Sequence, residues 1–167
     1  MNSVRRAARE IALLVLFWAD LQAGEGAQSV LALFRDNMLE DEEILREVLA
    51  LPEGKSSTIR KQLNRLTQSE QHWAFVERLV VGVASHLNSI DDMIGRFSNN
   101  WKVSRMARVD RNVLRLAAYE LIFELDIPTR ATLNEAIEIA KRFGAEGSPR
   151  FINGVLDRIA KNSAPAD

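Results

Sequence analysis

Three arginines near the amino terminus have a spacing that suits nucleic-acid binding. In a helix, Arg5 and Arg9 are one turn apart and Arg6 lies about 100° round from Arg5, so the three share one broad face. Guanidinium groups match phosphate oxygens and also stack on unpaired bases. Phe17 follows about three turns after Arg6 on the same segment. This combination predicts a surface that could hold RNA.

A second arginine and aromatic pair occurs near the carboxyl terminus, where Arg150 precedes Phe151. Aromatic rings interleaved with arginine are typical of proteins that bind single-stranded RNA. Taken one at a time, however, phenylalanines are usually core residues and arginines are usually solvated. Residue chemistry alone therefore offers RNA binding as one hypothesis beside an ordinary core and an ordinary charged surface.

The residue types that perform catalysis or bind metals are not grouped in this sequence. The chain has no cysteine, which excludes disulfides, thiolate nucleophiles and cysteine metal sites. Its two histidines, His72 and His86, lie on the flanks of one predicted helix. Asp91 and Asp92 are adjacent and so do not face each other on a helix, and the acidic run at 40–47 lacks the spacing of a calcium loop. The sequence therefore predicts no catalytic residue, no metal ligand and no cofactor.

Composition places the chain among ordinary globular proteins. Its 167 residues suffice for one domain or two small subdomains, and the hydrophobic share of 47% with a charged share of 27% is typical of soluble proteins. No run approaches the roughly 18 apolar residues of a membrane span, and the lack of cysteine fits a reducing cytoplasm. A net charge of -1 argues against nonspecific coating of nucleic acid. One stretch is nevertheless basic, with a single acid, Asp110, among Arg96, Lys102, Arg105, Arg108, Arg111 and Arg115.

Apolar residues recur at three-residue and four-residue spacing through most of the chain, and no segment shows the alternation of a strand. This pattern predicts an all-α bundle of about seven or more helices, two of them short and within 40–66. The first helix carries a second apolar face, including Leu13 and Leu16, so it should be central or covered by a partner. Thr132 and Glu135 have the spacing of a capping box, which predicts the start of a helix there.

The stretch SPRFINGVLDRI at 148–159 contains Asn153-Gly154, a pair that often marks a hairpin. Its flanks do not alternate, and its apolar residues share one helical face, so the spacing predicts a helix with Ser148 as its cap and Pro149 in its first position. A glycine inside a helix costs about 1 kcal/mol relative to alanine. Two explanations of Gly154 follow, close approach of a neighbouring helix or of a ligand, and we expect the first.

Two long segments resemble the NusB transcription antitermination family. They are RRAAREIALLVLFWADL at the amino terminus and NVLRLAAYELIFELDIPTRATLNEAIEIAKRFGAEGSPRFINGVLDRI near the carboxyl terminus. The stretch NNWKVSRMARVDR is similar to the linker between the halves of that family. The resemblance implies one NusB-like domain over 1–167, made of helical subdomains at about 1–100 and 101–162. It also implies an insertion at about 35–67.

The resemblance further implies a non-enzymatic adaptor of transcription. Members of the family pair with the ribosomal protein NusE, bind the boxA element of nascent ribosomal RNA and join the antitermination complex of RNA polymerase. The implied partners are therefore boxA-like single-stranded RNA, NusE and that complex, with no membrane. The implied RNA-binding residues are Arg5, Arg6, Arg9, Phe17, Arg150, Phe151 and Asn153. The implied partner-binding residues are Asp110, Arg111 and Leu114.

Two alternatives stay open on the sequence. A related helical domain precedes the catalytic domain of some ribosomal RNA cytosine methyltransferases, so the chain could be a free-standing accessory of that type. A plain interaction module is the other alternative, with a homodimer formed through the second apolar face of the first helix, at Leu13, Leu16 and Phe17. Such a dimer could hide the arginines that RNA would need.

Overall fold

The computed structural model describes residues 3–22, 26–36, 61, 64–66, 68–99 and 101–163. In these ranges the chain forms helices and turns and no strand, which confirms the predicted all-α class. The insertion predicted at 35–67 and the two short helices predicted within 40–66 lie mostly outside the described residues. The α-helices are α1 (Ser3–Leu21), α2 (Ala27–Asp36), α3 (Glu70–Ser85), α4 (Leu87–Phe97), α5 (Arg108–Phe123), α6 (Thr129–Phe143) and α7 (Ser148–Ser163), and a 3₁₀ turn spans Val103–Arg105.

The chain divides into two compact units, Met1–Val81 and Gly82–Asp167, with the border inside α3. The subdomain limits inferred from the resemblance, 1–100 and 101–162, stay a prediction. No helix in the described ranges combines the length and the apolar character needed to cross a lipid bilayer.

In the first unit, α1 packs against α2 and is buried on more than one face. Leu13 and Leu16 are both buried, which confirms that α1 is covered around much of its surface. Trp18 meets Phe34 edge-on, with ring centroids 6.4 Å apart. Phe17 is half-buried. Because Leu13 and Leu16 are covered within the chain, α1 does not expose the apolar face on which the homodimer alternative depends.

In the second unit, α5 is the central helix. Its residues from 112 to 120 are buried without interruption, and α6 and α7 pack against it and against each other. An ion pair joins α5 to α4, because Arg115 donates from Nε to Oδ1 of Asp91 and from Nη2 to its Oδ2, both at 2.7 Å. Both groups are largely shielded from water, with 10% of the Arg115 side chain and 27% of the Asp91 side chain exposed.

The helix predicted over SPRFINGVLDRI is confirmed as the first part of α7. It starts at Ser148, one residue before the predicted first position at Pro149. The Ser148 hydroxyl accepts a hydrogen bond from the backbone N–H of Ala145 at 2.9 Å, so it closes the preceding turn. The apolar stripe is fully buried and consists of Ile152, Val155, Leu156 and Ile159.

The capping box predicted at Thr132 is wrong. Helix α6 begins one turn earlier, at Thr129 directly after Pro128. Thr132 therefore lies inside the helix and is buried, and its Oγ1 donates a hydrogen bond to Oε2 of Glu120 on α5 at 3.1 Å. The Thr132 hydroxyl therefore bonds a side chain of α5 and does not cap the backbone of α6.

The surroundings of Gly154 contradict the packing explanation. A Cβ placed on this glycine would meet one side-chain atom of the described residues within 4 Å, Nη2 of Arg158 at 3.6 Å, which is an ordinary contact. No neighbouring helix in the described ranges approaches closely enough to require a glycine there. The expectation that Gly154 serves helix packing is therefore wrong, and the cost of a mid-helix glycine is not offset by packing.

We expect the substitution Gly154→Ala to raise the free energy of unfolding by about 0.5–1 kcal/mol, because alanine favours a helix over glycine by about this amount. Urea unfolding followed by circular dichroism measures it. Gly82→Ala is the matched control, since a Cβ on Gly82 in α3 would overlap the ring of Tyr119. That variant should lose stability, and a loss in Gly154→Ala as well would contradict the open surroundings described for Gly154.

Candidate nucleic-acid interface

Three arginines of the first unit surround one aromatic ring. The guanidinium carbons of Arg5, Arg9 and Arg78 lie 5.8, 5.6 and 5.2 Å from the ring centroid of Phe75. We call these four residues the Phe75 cluster. At these distances the face of the ring attracts each cation. The cluster therefore links α1 to α3 through contacts between guanidinium groups and an aromatic ring.

Burial differs within the Phe75 cluster. Phe75 is 7% exposed and Arg9 is 5% exposed, whereas Arg5 and Arg78 are exposed. Arg9 therefore places a positive charge beneath the surface, and Arg5 and Arg78 present guanidinium groups at the surface. Arg9 and Arg78 make further interactions beyond the ring.

The helices dictate this arrangement. Arg5 and Arg9 are one turn apart on α1, and Phe75 and Arg78 are three residues apart on α3, so each pair shares a helix face. The sequence prediction found the two residues of α1 and missed the two of α3. The three-residue spacing of Phe75 and Arg78 was the available signal, but an isolated phenylalanine and arginine at this spacing are common on ordinary helices.

The electrostatics of the Phe75 cluster favour an anion. Two of the three guanidinium groups, those of Arg5 and Arg78, lie at the surface beside the ring, and a ring face contributes only about 0.5–1 kcal/mol for each exposed cation. A phosphate placed against Arg5 and Arg78 would accept charge-assisted hydrogen bonds from them. The Phe75 cluster can therefore bind the phosphate backbone of a nucleic acid.

Arg6 and Phe17 are the other residues of α1 that were predicted to bind RNA. Arg6 is half-buried and makes interactions of its own, and Phe17 is half-buried further along the same helix. The roles of both in RNA binding stay predictions.

The carboxyl-terminal residues predicted to bind RNA lie in the second unit. Arg150 and Asn153 are exposed on α7, and Phe151 between them is half-buried. The ring of Phe151 packs against Trp101, with centroids 6.2 Å apart and planes tilted by 55°. The sequence analysis assigned no role to Trp101 and did not predict its contact with α7.

The predicted partner-binding residues occupy the start of α5. Asp110 is half-buried in the first turn, and its Oδ1 is buried without a hydrogen-bond partner among the described residues. Arg111 donates from Nη1 to the carbonyl oxygens of Val103 and Ser104, both at 3.3 Å, and so braces the 3₁₀ turn. Leu114 is fully buried, so it supports this surface from below. Contact of these residues with a partner stays a prediction.

Comparison with known proteins places the chain in one family. The sequence model of the NusB family matches residues 6–161. The transcription antitermination protein NusB of Syntrophotalea carbinolica is 39% identical over 165 residues, which cover 98% of this chain and 96% of that protein. The solved structure of Thermotoga maritima NusB matches with a TM-score of 0.69 and 38% identity, over 99% of this chain and 96% of the other.

A solved complex of the antitermination factors NusB and NusE with double-stranded RNA also contains a chain of this fold. That chain matches with a TM-score of 0.66 and 22% identity, over 97% of this chain and 99% of the other. The match of the family over nearly the whole sequence and the all-helical structure lead to one conclusion: the chain belongs to the NusB family.

Proposed function

We propose that this chain is a transcription antitermination factor that pairs with NusE and holds boxA-like single-stranded RNA of nascent ribosomal transcripts. In this role it joins the antitermination complex of RNA polymerase in the cytoplasm. It acts by binding and performs no catalysis of its own.

The observation that carries the proposal is the Phe75 cluster. Arg5 and Arg78 present guanidinium groups at the surface beside the ring of Phe75, and the guanidinium of Arg9 packs on the same ring. On a chain with a net charge of -1, such a local concentration of positive charge suits a defined phosphate contact better than general nucleic-acid coating.

The relatives support the same role. A relative 39% identical over nearly its whole length is named a transcription antitermination protein. The same fold also occurs in the solved complex of NusB and NusE with RNA, so the fold is compatible with both partners. The half-buried Asp110 and Arg111 at the start of α5 are the residues we assign to the NusE contact.

Titration of a labelled boxA oligonucleotide tests the proposal. The chain is titrated with and without purified NusE, against single-stranded boxA, a scrambled sequence of equal composition and a boxA duplex. We expect tight binding of single-stranded boxA in the presence of NusE, weaker binding without NusE, and weaker binding of the scrambled RNA in both conditions.

Equal binding of boxA and scrambled RNA would contradict a sequence-dependent role. Absence of binding in all conditions, together with a dimer in analytical ultracentrifugation, would favour the self-associating interaction module. Preference for the duplex would keep RNA binding but replace single-stranded boxA as the ligand.

A further inference from the structure

Trp101 is the most exposed of the three tryptophans. Its side chain is 59% exposed, whereas Trp73 is 3% exposed and Trp18 is half-buried. An exposed tryptophan ring can stack on a planar partner, which an exposed aliphatic side chain such as Leu125 cannot.

Hydrogen bonds hold the backbone of Trp101 in place. Ser98 is 2% exposed, and its Oγ lies 3.0 Å from the carbonyl oxygen of Trp101 and 3.1 Å from that of Gly95. The backbone N–H of Trp101 donates to the carbonyl oxygen of Ser98 at 3.2 Å. The exposed ring thus stands on a turn whose conformation is determined by a buried side chain.

Helix α7 holds the same turn from the other side. Asn99 has a φ of 53°, in the left-handed region that non-glycine residues rarely adopt. Arg158 stabilises it, because Nη1 donates to Oδ1 of Asn99 at 2.8 Å and to the carbonyl oxygen of Phe97 at 2.7 Å. The position of Trp101 relative to α7 is therefore set before any ligand binds, which lowers the entropy cost of binding.

One face of α7 lies beside this turn. Phe151, Gly154 and Arg158 follow each other at three and four residues, so they share that face. The ring of Phe151 packs against that of Trp101 with centroids 6.2 Å apart, and a guanidinium nitrogen of Arg158 lies 3.6 Å from the position that a Cβ on Gly154 would take. An aromatic platform with a guanidinium on the same helix face suits a planar base with its phosphate alongside.

The charges around Trp101 favour RNA over a protein partner. Residues 93–109 and 147–156 contain no Asp or Glu, and both segments are flanked by acids, at Asp92, Asp110, Glu146 and Asp157. Within the two segments Lys102, Arg105 and Arg150 are exposed cations. Aromatic rings with exposed cations along the same segments are the combination that suits single-stranded nucleic acids, since bases stack and phosphates pair with the cations.

We propose that Trp101, supported by Phe151, stacks on an unpaired base of the RNA that this chain binds. Ser98, Asn99 and Arg158 act as positioning residues for this platform. The proposal rests on the proposed function and adds a specific base contact, made by residues of the second unit.

The test compares Trp101→Ala and Trp101→Phe with the wild-type chain in the presence of NusE. We expect Trp101→Ala to weaken binding of single-stranded boxA by about tenfold, within the range that base stacking on an aromatic ring contributes. Trp101→Phe should keep most of the affinity. Leu125→Ala is the matched control, because Leu125 is 84% exposed in the same unit, and its RNA affinity should not change.

Two further readouts separate the possible causes. RNA should quench tryptophan fluorescence in the wild-type chain, and Trp101→Phe should lose most of that quenching. The affinity for NusE without RNA should be the same in all variants. Unchanged RNA affinity in Trp101→Ala would overturn the proposal, and so would a loss of NusE affinity alone, which would make Trp101 a protein contact. A wild-type chain that binds no boxA would instead overturn the proposed function, and this inference with it.

Discussion

Replacing Arg5 and Arg6 together by alanine is expected to weaken binding of single-stranded boxA by about tenfold and by no more than about thirtyfold, at up to about 1 kcal/mol for each ion pair. Arg5 is exposed beside Phe75, and Arg6 is the next residue on the amino-terminal turn of α1. Arg9 is left unchanged because it is 5% exposed and packs on Phe75, so its removal would also cost stability.

Salt dependence distinguishes phosphate contacts from other effects. Each phosphate contact to a single strand contributes about 0.7 to the slope of log affinity against log salt concentration, so the loss of two should reduce the slope by about 1.4. Fluorescence anisotropy at several salt concentrations measures both quantities.

The control is a second double variant that has the same net charge as the variant without Arg5 and Arg6. Arg130→Ala with Lys141→Ala removes two exposed cations from α6 and so changes the net charge by the same amount. Its affinity and slope should stay close to those of the wild-type chain. Equal losses in both double variants would mean that binding depends on net charge alone, and the assignment of Arg5 and Arg6 would then be wrong.

The substitution Asp91→Ala is expected to lower the free energy of unfolding by about 3 kcal/mol, at the lower end of what breaking a buried ion pair costs. The guanidinium of Arg115 would lose two hydrogen bonds of 2.7 Å while its side chain stays only 10% exposed. Asn112, which accepts from Nη1 at 3.3 Å, offers no compensating charge. Urea unfolding followed by circular dichroism measures the change.

An exposed ion pair provides the matched control. Glu138→Ala breaks the pair between Lys141 and Glu138, whose side chains are 59% and 44% exposed, and should change stability by less than about 0.5 kcal/mol. Similar losses in the two variants would show that burial does not set the strength of the Asp91 pair.

For the helices that the structure describes, local spacing predicted their presence and most of their buried faces. The stripe of α7 from Ile152 to Ile159 was predicted against the hairpin signal of Asn153-Gly154, since a period of 3.6 residues is a property of the segment itself. Leu125 shows the limit of such patterns. It continues the apolar spacing of α5, but the helix ends at Phe123 and leaves Leu125 84% exposed.

By itself, the sequence determined the all-helical class, the presence of arginine and aromatic pairs, and the resemblance that led to the family. Only the tertiary structure decided what those residues contact. The ring of Phe75 on α3 contacts Arg5 and Arg9 of α1, which is far away in the sequence. The ring of Phe151 on α7 contacts Trp101 in the turn after α4. Helical periodicity depends on neighbours along the chain, whereas these contacts depend on how helices pack, which no short window of sequence encodes.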